Sequence, residues 1–217
     1  MEREVVDTRD KILILGAGQF AEEVAELVWD TGAYEVVGFV EGQDTEERPN
    51  TLLGLPVLRL ADIARADVPH LAICAIGTPE RRGLIERVRA EGMQFATIVH
   101  PRAHVSSTAS LGVGSIIGVG AVVACGTRIG EHSIVNRGCL IGHHVQVGDY
   151  ATLSPGANIA GRTRVGDDVY VGMGAIIIDG LAIGSGSVVA AGAVVTRDVP
   201  DRVRVMGIPA RVVKELD

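Results

Sequence analysis

The stretch Ile134-Val135-Asn136-Arg137-Gly138-Cys139-Leu140-Ile141-Gly142-His143-His144-Val145-Gln146-Val147-Gly148 repeats one motif every six residues. Val135, Ile141 and Val147 are aliphatic, and Gly142 and Gly148 each follow one of them directly. Worked outward in both directions, the ladder runs without a gap from Val99 to Val195, and all 17 positions are Val, Ile or Leu. Four residues after each rung the side chain is small or β-branched, as at Ala121, Cys139, Ala157 and Ala175. A period of six fits neither an α-helix, which repeats near 3.6, nor a plain strand, which repeats at two. It fits a chain wound as a triangular prism, in which each hexad supplies a short strand and a tight corner and three hexads close a coil. The aliphatic residue points inward and stacks on its equivalent one coil away, about 4.8 Å distant. Glycine after it is expected to supply corner dihedrals that other residues avoid. The 17 rungs make between five and six coils of a left-handed parallel β-helix, with no long loop leaving it between residues 105 and 194.

Residues 1–97 read differently, and the reading divides the chain into 1–97 and 98–217. Lys11-Ile12-Leu13-Ile14-Leu15 is a continuous apolar run, as a buried parallel strand requires. Gly16-Ala17-Gly18-Gln19-Phe20-Ala21 follows, and apolar residues then recur at helical spacing to Asp30. A second strand is expected over 35–40 and a third over 71–76, followed by Gly77-Thr78-Pro79 and a charged helix over 80–91. The alternation predicts a small Rossmann-like α/β domain. The glycine turn fits the alanine variant of a phosphate-binding fingerprint, and Glu41 lies at a distance suited to a ribose contact. Backbone N–H groups at that helix start favour a pyrophosphate. Some 95 residues hold barely one mononucleotide-binding half, so a sugar-bearing nucleotide fits better than a nicotinamide dinucleotide; a tight turn without ligand is the alternative.

Composition excludes several classes. Hydrophobic residues are 47% but aromatics only 3%, so the core is aliphatic. The net charge of −7, with no basic cluster, disfavours nucleic acid and anionic lipid as partners. The start, Met1-Glu2-Arg3-Glu4, lacks an apolar signal segment, and no window approaches the length of a membrane span, so a cytoplasmic location is expected. Cys74, Cys125 and Cys139 have no metal-type spacing and are expected to be reduced and buried.

A small α/β domain leading directly into this coil resembles the hexapeptide-repeat nucleotide-sugar acetyltransferases, including the N-acetyltransferases of UDP-4-amino-sugars (bacillosamine type) and of GDP-perosamine, with sialic-acid O-acetyltransferases as relatives. The residues that carry it are Ile12–Ala25, Ala75–Arg82, Asn136–Gly161 and the ending Val205-Met206-Gly207-Ile208-Pro209-Ala210-Arg211. The resemblance implies acetyl-CoA as acetyl donor, a nucleotide-sugar substrate, a homotrimer with active sites between subunits, and a place in surface-polysaccharide or protein glycosylation. It implies a catalytic set of His143, His144 and Asn136, with His143 as general base, presented outward from its turn, and Asn136 near the acceptor. It places Thr152, Gly161, Met173 and Ala191 on acetyl-CoA, and Gly18, Gln19, Phe20, Glu41 and Gly77 on the nucleotide sugar. Packing roles for Gln19, Phe20 and Met173 fit equally.

The chain departs from the family pattern. Where the residue after the base is usually Glu or Asp, it has His144, leaving Glu131 or Asp149 as candidate acids nearby in sequence. Where the family has a thioester-contacting histidine it has Thr152, whose hydroxyl could donate one hydrogen bond, and Gln19-Phe20 replaces a frequent Gly-His. A carbonic anhydrase of the same architecture would need a three-histidine zinc set. The spacing of His70, His100, His104, His132, His143 and His144 does not resemble one, so no metal is expected. Three readings remain open: N-acetylation, O-acetylation, and a binding scaffold that has lost its chemistry. Apolar outward positions at Val122, Ile134, Leu140 and Ile176 suggest burial against a partner subunit.

Overall fold

The computed structural model describes residues 9–42, 49–63, 71–78 and 81–217. The Met1–Glu4 start, His70, Pro79 of the expected turn and Glu80, where the charged helix is expected to begin, lie outside them. Among the described residues no helix is long and apolar enough to cross a membrane.

The first domain runs β1 (Asp10–Leu15), α1 (Gln19–Thr31), β2 (Tyr34–Glu41), β3 (Thr51–Leu52), β4 (Leu55–Arg59), α2 (Leu60–Ile63), β5 (Leu71–Cys74), α3 (Arg81–Ala90) and β6 (Gln94–Phe95). Its sheet has the order β3-β4-β2-β1-β5-β6 and is parallel except for the β3–β4 hairpin. β1 is central and covered on both faces, so Ile12 to Leu15 are all buried and the run is continuous rather than alternating. Helix α1 buries Ala21, Val24, Ala25 and Val28, a stripe at helical spacing. It stops at Gly32, whose left-handed backbone (φ 66°) lets its N–H reach the Trp29 carbonyl at 3.0 Å. The two-residue strands β3 and β6 were not evident in the hydrophobic pattern, because strands that short carry no periodicity, and the five-residue β4 was missed with its hairpin partner.

From Ile98–Val99 (β7) to Val194–Val195 (β23) the chain forms a left-handed β-helix of two-residue strands in three parallel sheets. Pairings such as Ile116↔Ile134, Leu140↔Asn158 and Gln146↔Arg164 place each residue against the one 18 further along. The aliphatic ladder is the core: Ile117, Val135, Leu153, Val171 and Ile177 are fully buried. The small inward position has a second role that spacing alone does not show. Thr127 and Ser133 turn their hydroxyls to the carbonyls of Gly142 and Gly148, both at 2.7 Å, satisfying corner groups inside a dry prism.

The glycines that follow the ladder have a different reason from the one expected. They are not the corner residues with positive φ. A Cβ at Gly142 would lie 2.6 Å from the Gly161 nitrogen of the next coil, so close stacking of the backbone is what excludes a side chain. Left-handed backbone falls two residues later, and His132, His144, Tyr150, Arg162 and Asp168 adopt it there without being glycine.

The chain closes with an antiparallel hairpin, β24 (Val203–Gly207) and β25 (Ala210–Glu215), added to the sheet that contains β7. That same sheet is the platform for the first domain. Outward Ile98, Ile116 and Ile134 share one buried cluster with Val24, Leu27 and Val28 of α1. Ile134 is therefore not a subunit-facing residue as expected; its own first domain covers it. Leu140 (46% exposed) and Ile176 (43%) do remain open on the next face, with Val122 half-buried beside them. Cys74 and Cys139 are buried, and burial pushes both thiols up to about 11, but Cys125 is exposed, against expectation.

Candidate active site

The glycine turn builds one concave site. Gly16 (φ 114°) donates its N–H to the Val40 carbonyl at 2.8 Å, and a Cβ there would crowd the Ala75 carbonyl at 3.1 Å, so β1 can hand over to α1 only through glycine. Gly18 caps α1 in an extended conformation. A cleft of about 560 Å³ opens above the turn, lined by Gly16, Gly18, Phe20, Glu41, Thr78 and Arg87 among others. Gly18, Phe20 and Glu41 thus come together. Gly77 faces the Phe20 ring, to which a Cβ would come within 3.9 Å. Gln19 is exposed and outside the lining. Arg87 was not anticipated. In sequence it is one cation of a charged helix; in the fold it sits one turn after Leu84 on the face turned to the cleft.

The corner after Leu140–Ile141 carries the second constellation. His143 and His144 are both exposed, and their Nδ1 atoms stand 3.2 Å apart with the rings at 79°. A Cβ at Gly161, one coil on, would fall 2.7 Å from Cε1 and Nε2 of His143, so the imidazole lies over a bare stretch of backbone. The ring points away from the packed interior, where an imidazole can meet a substrate proton.

The other expected residues occupy other edges of the prism. Asn136 follows the preceding strand, Ile134–Val135, and its Oδ1 accepts the Arg137 N–H at 2.7 Å. It borders a crevice of about 230 Å³ between α1 and the coil, whose wall includes Phe20, the residue shared with the glycine-turn cleft. Met173 and Ala191 are exposed at corners of the same edge as Asn136, while His143 and Gly161 share the next edge. Glu131 and Asp149 lie on the third edge, where Glu131 pairs with Arg89 at 3.3 Å and Asp149 accepts the Glu131 N–H at 2.8 Å. Neither supplies the carboxylate missing beside His143. Thr152 does not stand free for a donor either: it is 4% exposed, and its hydroxyl accepts from Arg81 at 2.8 Å.

Arg81 is the residue that the sequence reading passed over. It is 1% exposed and donates to the carbonyls of Thr78, His132, Tyr150 and Ala151 besides Thr152. A guanidinium has five N–H donors in a fixed fork, and here they bind the loop of the cleft to two coils of the prism. Around it, Arg82 pairs with Asp168 at 2.7 Å and lies 3.9 Å over the Tyr150 ring. Arg89 donates to His132 Nε2 at 2.8 Å. Burial, with Arg89 and Arg81 close by, pushes the His132 pKa from 6.5 down to about 4, and its buried Nδ1 has no hydrogen-bond partner among the described residues. The seam therefore fixes where the cleft sits relative to the coil.

Known proteins share this arrangement. A model of the PglD N-terminal domain matches residues 11–87, and the bacterial transferase hexapeptide (six repeats) model matches 126–161 and 162–197. PerB from Caulobacter crescentus, solved in complex with CoA and GDP-perosamine, is 30% identical with a TM-score of 0.88, over 94% of this chain and 97% of that one. The acetyltransferase domain of PglB from Neisseria gonorrhoeae, solved with acetyl coenzyme A, is 30% identical with a TM-score of 0.86, over 94% and 100%. WeeI from Acinetobacter baumannii is 29% identical with a TM-score of 0.85, over 93% and 99%. No curated protein sequence matches.

Fold and site together define a hexapeptide-repeat acyltransferase. More particularly, the chain belongs to the nucleotide-sugar acetyltransferases of that class, in which a PglD-type domain precedes the coil.

Proposed function

We propose that this protein transfers the acetyl group of acetyl-CoA to the amine of a nucleotide-linked 4-amino-sugar, with His143 as general base. The observation that carries the reading is the exposed His143 imidazole, laid over Gly161 at a corner of a prism that also bears a nucleotide-sized cleft. Gly18 and the start of α1 offer N–H groups to a pyrophosphate, Glu41 reaches the ribose, and Arg87 adds a cation across the cleft. The sugar amine attacks the thioester carbonyl, its proton passes to His143, and collapse of the tetrahedral intermediate expels the CoA thiolate, which takes the proton back. An amine needs a weaker base than a hydroxyl, and no described carboxylate contacts His143, so the amine is favoured over O-acetylation.

His143 and Gly161 lie on one edge, and Asn136, Met173 and Ala191 on another. Two edges can face one donor only if they come from two chains, and exposed Leu140 and Ile176 supply an apolar face for the contact. A homotrimer with three such clefts is the assembly that fits. The test is thiol release from acetyl-CoA with UDP- and GDP-linked 4-amino-sugars. Wild-type turnover that disappears in His143→Ala is the expected result; an unimpaired variant removes His143 from the mechanism.

A further inference from the structure

We infer that His144 is the positioning residue of the general base: its Nδ1 accepts the hydrogen bond of His143 Nδ1–H and so keeps the lone pair of His143 Nε2 free for the substrate proton. The inference rests on His143 being the base.

Geometry carries it. Neighbouring side chains of an extended segment point to opposite sides. His144 instead has left-handed backbone (φ 57°), anchored by its N–H on the Cys125 carbonyl at 2.9 Å, and its ring turns back to bring the two Nδ1 atoms to 3.2 Å. Glycines make room for both rings. A Cβ at Gly126 would meet His144 Cδ2 at 2.9 Å, and one at Gly161 would meet His143 at 2.7 Å. The carboxylate that follows on this edge, Asp179, is held by Arg162 at 2.7 Å.

The direction of the bond follows from the chemistry. An Nδ1–Nδ1 contact holds one hydrogen, donated by one ring to the other. Once His143 Nε2 has taken a proton, both of its nitrogens carry hydrogen, and the contact survives only if His144 Nδ1 is the acceptor. His144 then carries its own hydrogen on Nε2. The opposite tautomer leaves His143 protonated at Nε2 and unable to accept. The pair thus does with a neutral acceptor what a carboxylate does beside other catalytic histidines, namely hold the ring and select its tautomer.

Three substitutions separate this role from simple packing. His144→Asn keeps an acceptor at the Nδ1 position and tolerates left-handed backbone; His144→Gly tolerates the backbone but has no acceptor; His144→Gln places its acceptor at the Nε2 position. Expected kcat is within about threefold of wild type for Asn and at least about tenfold lower for Gly and Gln, with KM for both substrates unchanged. A glycine variant with wild-type kcat, or an asparagine variant that falls as far as glycine, overturns the assignment. Nitrogen-15 spectra of the resting protein are the second readout. His143 should carry its hydrogen on Nδ1, and a hydrogen found on Nε2 overturns the pair whether or not the protein turns over. Absence of acetyl transfer in the wild type would defeat the proposed function without deciding the tautomer, so the two failures are distinguishable.

Discussion

Arg81 and Thr152 lie 71 residues apart in the chain and 2.8 Å apart in the fold, guanidinium to hydroxyl. That bond, with the four carbonyls Arg81 also serves, joins the nucleotide cleft to the coil through one buried side chain. Arg81→Met strips those acceptors of their donor inside the seam. The expected cost is about 3 kcal/mol, because buried acceptors lose charged hydrogen bonds that water cannot replace. Calorimetry should show the first domain melting ahead of a coil that keeps its own transition.

Gly161→Ala is expected to separate stability from activity. The new methyl collides with the tip of an exposed ring, which swings aside at little cost, so stability changes by less than about 1 kcal/mol. The base is then displaced from its reacting position, and kcat falls on the order of 100-fold. Thermal melts and steady-state kinetics on one preparation check both halves.

His132 makes the seam sensitive to acid. Its folded pKa is about 4 and its ordinary value 6.5, so between those values the unfolded chain binds more protons than the folded one. Stability is therefore complete above pH 6.5 and is lost as pH falls toward 4, by no more than about 3 kcal/mol. Denaturant titrations across this window should show the slope, and His132→Asn, which tolerates the left-handed backbone at that corner, should flatten it.

Cys125 occupies the corner one coil before His143, and its carbonyl accepts the His144 N–H. Maleimide should label this exposed thiol first in the folded protein, while Cys74 and Cys139 react only on unfolding. A bulky adduct at that corner should block turnover, and Cys125→Ser should abolish the inhibition without changing kcat.

Arg87→Ala tests the cleft. Loss of a charged hydrogen bond to a phosphate corresponds to about 1.5–3 kcal/mol, so KM for the nucleotide sugar should rise roughly 10-fold or more with KM for acetyl-CoA unchanged. Equal changes in both constants would place Arg87 outside nucleotide recognition.

Much of this is legible in the sequence. The ladder from Val99 to Val195 specifies the coil because only one geometry stacks a six-residue period on itself, and the buried run Ile12–Leu15 specifies a central parallel strand. The convergence of Gly18, Phe20 and Glu41 follows from local rules of strand, turn and helix. Arg81 was not legible. It belongs to a helix whose Arg-rich, Glu-containing sequence reads as a solvated face, and its burial comes from docking against coils about 50–70 residues further on. Ile134 failed for the same reason, since an outward apolar residue looks alike whether its cover is another subunit or its own first domain.

By itself the sequence determined the prism, the α/β domain before it, and the outward placement of His143, because each depends on a period or on a turn spanning a few residues. Only the tertiary structure decided what faces His143, what occupies Thr152, and which apolar faces stay open. The first turns on a corner whose backbone is free to be left- or right-handed, and the others join separate domains or faces, where no spacing rule reaches.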